Sequence, residues 1–85
     1  MSTSLFWKPA PKNEPEPETL DYQLKAALSR RLWGMGDGSV WADEITVGEE
    51  LIPYLNGLID GGIEGAQELL DAIHKHGQVI LWIAS

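Results

Sequence analysis

Gln78-Val79-Ile80-Leu81-Trp82-Ile83-Ala84 is the stretch on which the fold turns. The unbroken apolar run from Val79 to Ile83 has the length of a strand, and its β-branched and aromatic side chains favour that conformation. A strand with one wet face alternates apolar and polar residues. This one does not, so both faces should be covered, either by core on both sides or by core on one and a partner molecule on the other. Gly77, just ahead of it, suits the left-handed conformation that ends a helix. Working back from there, Ile63, Ala66, Leu69, Leu70 and Ile73 carry helical spacing to about His76. The dipole of that helix favours cations at its end, which accounts for His74 and His76 without a further role.

Asp60-Gly61-Gly62 separates that helix from another apolar set, Leu51, Ile52, Leu55, Leu58 and Ile59. Thr46 and Glu49 match a capping box that would start a turn at Val47. Pro53 inside a helix begun there would cost about 3 kcal/mol, so the helix is expected to restart near Pro53, where proline is tolerated. The two helices then form an αα-corner. Upstream, Val40 to Val47 predicts one short strand near Glu44 to Thr46, interrupted by Asp43 and Glu44. Met35 to Ser39 reads as a glycine loop. Leu20, Leu24, Ala27, Leu28 and Leu32 predict an amphipathic helix to Trp33, capped by Thr19, favoured by Asp21 at its start and by Arg30 and Arg31 at its end, and stopped by Gly34. The expected fold is α+β: an N-terminal amphipathic helix, a short strand, an αα-corner, and a C-terminal strand pairing with the first strand, with the helices on one face.

Residues 19–85 are expected to form that single domain, and residues 1–18 a flexible tail rich in proline and glutamate. Pro9, Pro11, Pro15 and Pro17 remove amide donors and fix φ, so Lys8 to Glu18 should be extended and solvated. Leu5-Phe6-Trp7 ahead of them is either a docking peptide or a segment folded back over an apolar patch of its own domain. At 85 residues there is no room for a second core.

The absence of cysteine excludes a disulfide, a thiolate zinc site and a cysteine nucleophile, and fits a reducing compartment. No basic-then-apolar leader opens the chain, and no run approaches the roughly 18 apolar residues of a membrane span. A soluble, intracellular protein is expected. Its net charge is −7, unevenly placed: up to Trp33 five basic residues meet four acidic ones, whereas from Gly34 onward nine carboxylates face Lys75 alone. That half repels phosphate, and nucleic-acid binding draws most of its free energy from phosphate neutralisation. A helix-turn-helix reading of the αα-corner fails the same test, because Glu64, Glu68 and Asp71 would face the groove.

No reacting set emerges. His74 and His76, two apart on a helix, diverge too far to chelate one metal. A calcium loop framed from Asp37 puts Ala42 where glycine is required and Gly48 where a bidentate glutamate belongs. Neither phosphate-loop spacing is present. Glu49 and Glu50 point in diverging directions and suit a solvated helix start. A non-enzymatic protein without cofactor or metal is expected.

The tryptophans are the least ordinary feature. Trp33 and Trp82 are expected in the core. Trp7 and Trp41 have polar or flexible neighbours and are candidates for contact with another molecule. The expected protein-binding set is therefore Leu5, Phe6, Trp7, Trp41, Asp43, Glu44, Glu49 and Glu50, facing a basic protein partner. Two alternatives belong to other classes: a homo-oligomer assembled through the Val79–Ile83 strand, and a DNA mimic with its carboxylates gathered on one face.

Leu24-Lys25 to Arg31-Leu32-Trp33, Asp37-Gly38-Ser39, Tyr54-Leu55-Asn56-Gly57-Leu58, Gly61-Gly62-Ile63-Glu64-Gly65-Ala66-Gln67-Glu68-Leu69 and His76-Gly77 together resemble small uncharacterised accessory proteins encoded by phages of actinobacteria, over about residues 20–84. The resemblance carries over no catalytic residue. It implies a non-enzymatic binder of host proteins, acting in the host cytoplasm during infection.

Overall fold

A computed structural model describes residues 3–10, 18–34 and 41–84. In chain order these form strands β1 (Ser4–Ala10) and β2 (Glu18–Leu20), helix α1 (Tyr22–Trp33), strand β3 (Ala42–Val47), a 3₁₀ turn (Glu49–Leu51), helices α2 (Ile52–Asp60) and α3 (Ala66–His76), and strand β4 (Gln78–Ala84). The protein is a small α+β domain with one antiparallel sheet in the order β2-β1-β4-β3.

β4 is the strand expected at residues 78–84, and it pairs with the strand over 42–47 as well as with β1. Val47 lies opposite Val79, Thr46 opposite Ile80 and Ile45 opposite Leu81; the register then shifts before Ala42 meets Ile83. The shift falls on Asp43 and Glu44, the two residues that break the apolar run of this strand. On the other side β1 matches β4 along its whole length, Leu5 opposite Ile83, Trp7 opposite Leu81 and Lys8 opposite Ile80. β4 thus has hydrogen-bonded neighbours on both sides. Its Val79–Ile83 backbone is already paired on both sides within the chain, and the edges of the sheet are β2 and β3.

β1 is the main departure from the sequence reading. Ser4–Ala10 was expected within a flexible tail, and Glu18 at that tail's end; the first is a seven-residue strand and the second opens β2. Of the two fates open to Leu5-Phe6-Trp7, folding back is the one adopted. Ordering each residue costs about 1–2 kcal/mol of backbone entropy, offset here by the ladder to β4 and by full burial of Leu5 and near-full burial of Trp7. Pro9 lies beyond the β2 pairing seen among the described residues, which runs from Leu5 opposite Leu20 to Trp7 opposite Glu18. The domain therefore includes residues 4–10, ahead of the boundary expected at residue 19. Pro11, Pro15, Pro17 and the Met35–Ser39 loop lie outside the described residues.

Helix ends follow local chemistry, with small shifts. Asp21 caps α1, its side chain accepting from the Gln23 N–H at 2.8 Å; Thr19, the expected cap, is taken up by β2 opposite Phe6. Gly34 ends α1 in the left-handed region at φ 68°. Thr46 remains in β3, so the expected capping box does not form. Instead the Glu50 carboxylate accepts from the Gly48 N–H at 2.8 Å, and the Leu51 N–H closes the 3₁₀ turn onto the Gly48 carbonyl at 3.0 Å. Pro53 sits in the first turn of α2. α3 starts at Ala66 rather than at Ile63, after Gly65 with φ 88°, and the Gly77 N–H closes it onto the Ile73 carbonyl at 2.7 Å.

Side chains directly opposite in a sheet share a face, so Leu5, Trp7, Val79, Leu81, Ile83 and Val47 lie on one side. They form a single core cluster with Leu24 and Leu28 of α1, Leu55 of α2, and Leu69 and Ile73 of α3. The opposite side of the sheet carries Phe6, Lys8, Thr46, Ile80 and Trp82, and no residue of that row belongs to the core cluster. Lys25 is buried within α1 and donates from Nζ to the Thr3 carbonyl at 2.7 Å, which fixes the chain where it enters β1.

Candidate functional site

The sheet face turned away from the core is built from the alternate residues of its two central strands. Phe6 and Trp82 lie directly opposite one another, and their rings stack with centroids 5.7 Å apart and planes 19° from parallel. Two residues along, Lys8 and Ile80 form the next cross-strand pair. The Lys8 ammonium reaches back over the Trp82 ring, 5.5 Å from its centroid. It also approaches the Glu44 carboxylate of β3 at 3.9 Å. Glu44 reaches this position from the irregular stretch of β3, and neighbouring Asp43 offers its carbonyl to the Trp33 indole N–H at 3.2 Å. The outcome is an apolar strip across β1 and β4, bordered by one cation and one carboxylate.

The expected binding residues are not all brought together. Leu5 is sealed in the core, and Trp7 is nearly so, with an edge of its ring lining the shallow concavity beside α3. Phe6 shares their triplet but faces the other way, half-buried against Trp82. Trp41 is 63% exposed just before β3 begins. Asp43 and Glu44 are exposed on β3 itself. Glu49 and Glu50 are exposed beyond the far end of that strand, and six residues of strand span about 20 Å, so Trp41 and the Glu49–Glu50 pair do not form one patch. Glu50 is moreover engaged with Gly48.

Three residues of this face, Lys8, Ile80 and Trp82, went unrecognised in the sequence. Trp82 was expected in the core and is half-buried on the outer face; Trp33 is half-buried against the core. The signal for Trp82 was present in the unbroken run of β4, which left one face to be covered by something other than the core.

A shallow concavity of about 250 Å³ follows one side of α3 and is lined by Trp7, Glu68, Asp71, Ala72, Lys75 and His76. Carboxylates and an imidazole share it, but no hydrogen bond joins His76 to either carboxylate among the described residues. His76 instead lies against the Trp7 ring at 6.1 Å, and Asp71 accepts from the Gln67 side chain at 2.9 Å. No group of three or more metal-ligating side chains gathers among the described residues, and no described helix is long and apolar enough to cross a membrane. Among the described acidic side chains, Asp43 and Glu44 lie on β3 and Glu68 and Asp71 on α3. No protein-family model matches the chain, and no curated protein or solved structure compared with it is similar.

Proposed function

We propose that the protein is a non-enzymatic docking module whose outer sheet face seats a basic protein. The observation that carries this reading is the Phe6–Trp82 stack, with Ile80 beside it, on the side of the sheet away from the core. Aromatic rings fixed on paired strands give up little conformational freedom when a partner covers them, and such rings anchor interfaces. Glu44 and Asp43 at the border, with exposed Trp41 nearby in sequence, add charge and a further ring.

Charge selects the partner. Two copies of this chain would each bring a net −7 to the contact, so self-association works against repulsion, while a basic partner is attracted over the Debye length of about 8 Å at physiological salt. A host protein, met in the cytoplasm, is the partner that the resemblance to phage accessory proteins implies.

The test compares the wild-type chain with the double variant Phe6→Thr, Trp82→Thr, which keeps β-forming residues on an outer face. With folding matched by circular dichroism, both are immobilised and exposed to bacterial lysate at low and high salt. Basic proteins retained by the wild type at low salt and lost by the variant support the reading. Equal retention by both, or none by either, overturns it.

A further inference from the structure

A cation already rests on the outer ring of this face, and a carboxylate already faces that cation. Lys8 Nζ lies 5.5 Å from the Trp82 centroid and 3.9 Å from Glu44 Oε2, so Trp82, Lys8 and Glu44 form a ring–cation–carboxylate arrangement across β1, β4 and β3. We propose that this is an arginine subsite, occupied by Lys8 in the free protein and taken over by a guanidinium of the partner on docking. The inference rests on the docking reading above and narrows it to the chemical group recognised.

The hold of Lys8 on the site is loose. Its separation from Glu44 is at the outer limit of an ion pair, and the two side chains are 31% and 60% exposed. Exposed pairs of this kind contribute little, because water and salt screen them and two long side chains must be ordered. An ammonium is also a compact, strongly hydrated charge. A guanidinium is better matched to both walls. It is planar and stacks flat on an indole, and its edge donates two parallel N–H bonds to one carboxylate. Phe6, stacked on the same ring, widens the apolar floor that the arginine stem would cover.

A stacked pair of rings on central strands would also suit the bases of a single-stranded nucleic acid. Here the border group is the Glu44 carboxylate, and Lys8 is the only basic side chain among Phe6, Lys8, Glu44, Thr46, Ile80 and Trp82. Phosphates would meet one lysine against a chain of net charge −7, which disfavours that occupant.

The experiment follows the indole N–H resonances of the ¹⁵N-labelled full chain, assigned through single Trp→Phe variants. Three probes are titrated: a glycine-spaced arginine hexapeptide, its lysine counterpart, and a uridine hexanucleotide. The Trp82 signal should shift saturably with the arginine peptide, about threefold or more tighter than with the lysine peptide. Lys8→Ala should tighten arginine binding about two- to fivefold by removing the internal competitor, and Glu44→Gln should weaken it about three- to tenfold. Both substitutions lie on the outer face, and unchanged dispersion of the remaining signals confirms folding. Equal affinity of the arginine and lysine peptides, weaker or unchanged binding in Lys8→Ala, or a Trp82 shift with the nucleotide each overturn the subsite. Equal affinities at Trp82 do so while leaving the docking face intact. Peptides that move Trp41 but not Trp82 overturn the subsite and the docking face together.

Discussion

Replacing Leu5 with alanine is the sharpest test of the architecture, because a tail residue and a core residue answer it differently. Leu5 is 0% exposed. It lies opposite Ile83 on β4 and Leu20 on β2, both buried, so the cavity left by truncation is closed off by neighbours that cannot collapse freely. Leucine-to-alanine changes at such sites cost about 2.7–5.0 kcal/mol, and about 3 kcal/mol is a moderate expectation here. With 85 residues and an unfolding entropy of about 2.1 cal/mol/K per residue, the slope at the midpoint is roughly 0.18 kcal/mol per degree. The midpoint should therefore fall by roughly 17 °C. Thermal and urea unfolding followed by far-ultraviolet circular dichroism measure both quantities, and an unchanged m-value shows that the folded state still buries the same surface. If residues 1–18 were a solvated tail, the change would stay within about 0.5 kcal/mol, as for an ordinary surface site. A loss that small refutes the placement of β1 in the sheet, and with it the pairing that creates the outer face.

Other positions test local features. Gly65→Ala should cost about 1–3 kcal/mol in urea unfolding, since φ is 88° and an added Cβ would lie 3.0 Å from the Asp21 Cβ; Gly62→Ala, at φ 79° with nothing within 4 Å, should cost less, and equal losses would show that the contact with Asp21 is immaterial. Lys25→Ala removes the donor to the Thr3 carbonyl and should cost about 1–2 kcal/mol; hydrogen exchange should quicken at the start of β1 more than in β4, and uniform quickening would count against a local tie. Asp21→Ala deletes the cap on Gln23 and should cost about 1 kcal/mol, with Asp21→Asn restoring most of it; no difference between the two variants would point to charge rather than the hydrogen bond.

The parts of the fold that could be read in advance are those specified within a few residues. The stripe Leu24, Leu28 repeats with the period of a helix, Gly34 and Gly77 sit where their φ is positive, and Pro53 occupies a first turn. Each depends on backbone sterics or a neighbouring hydrogen bond. β1 depends on neither. Its residues become a strand only because β4, at the other end of the chain, offers a matching ladder, and the four prolines between residues 9 and 17 point locally toward an unpaired chain. The cap of α1 shifted from Thr19 to Asp21 for the same reason: β2 claims Thr19 through a pairing with Phe6.

The functional face divides along the same line. Sequence alone established the acidic balance, the tryptophan content, the helical stripes and the strand from Gln78 to Ala84, because composition and short-range periodicity carry those. Tertiary structure decided which way each ring points. A side chain in a strand alternates between faces, so the parity of the register, set by distant partners, sends Leu5 and Trp7 inward and Phe6 outward to meet Trp82. That parity has no local signature, which is why the outer face became visible only once β1 was seen beside β4.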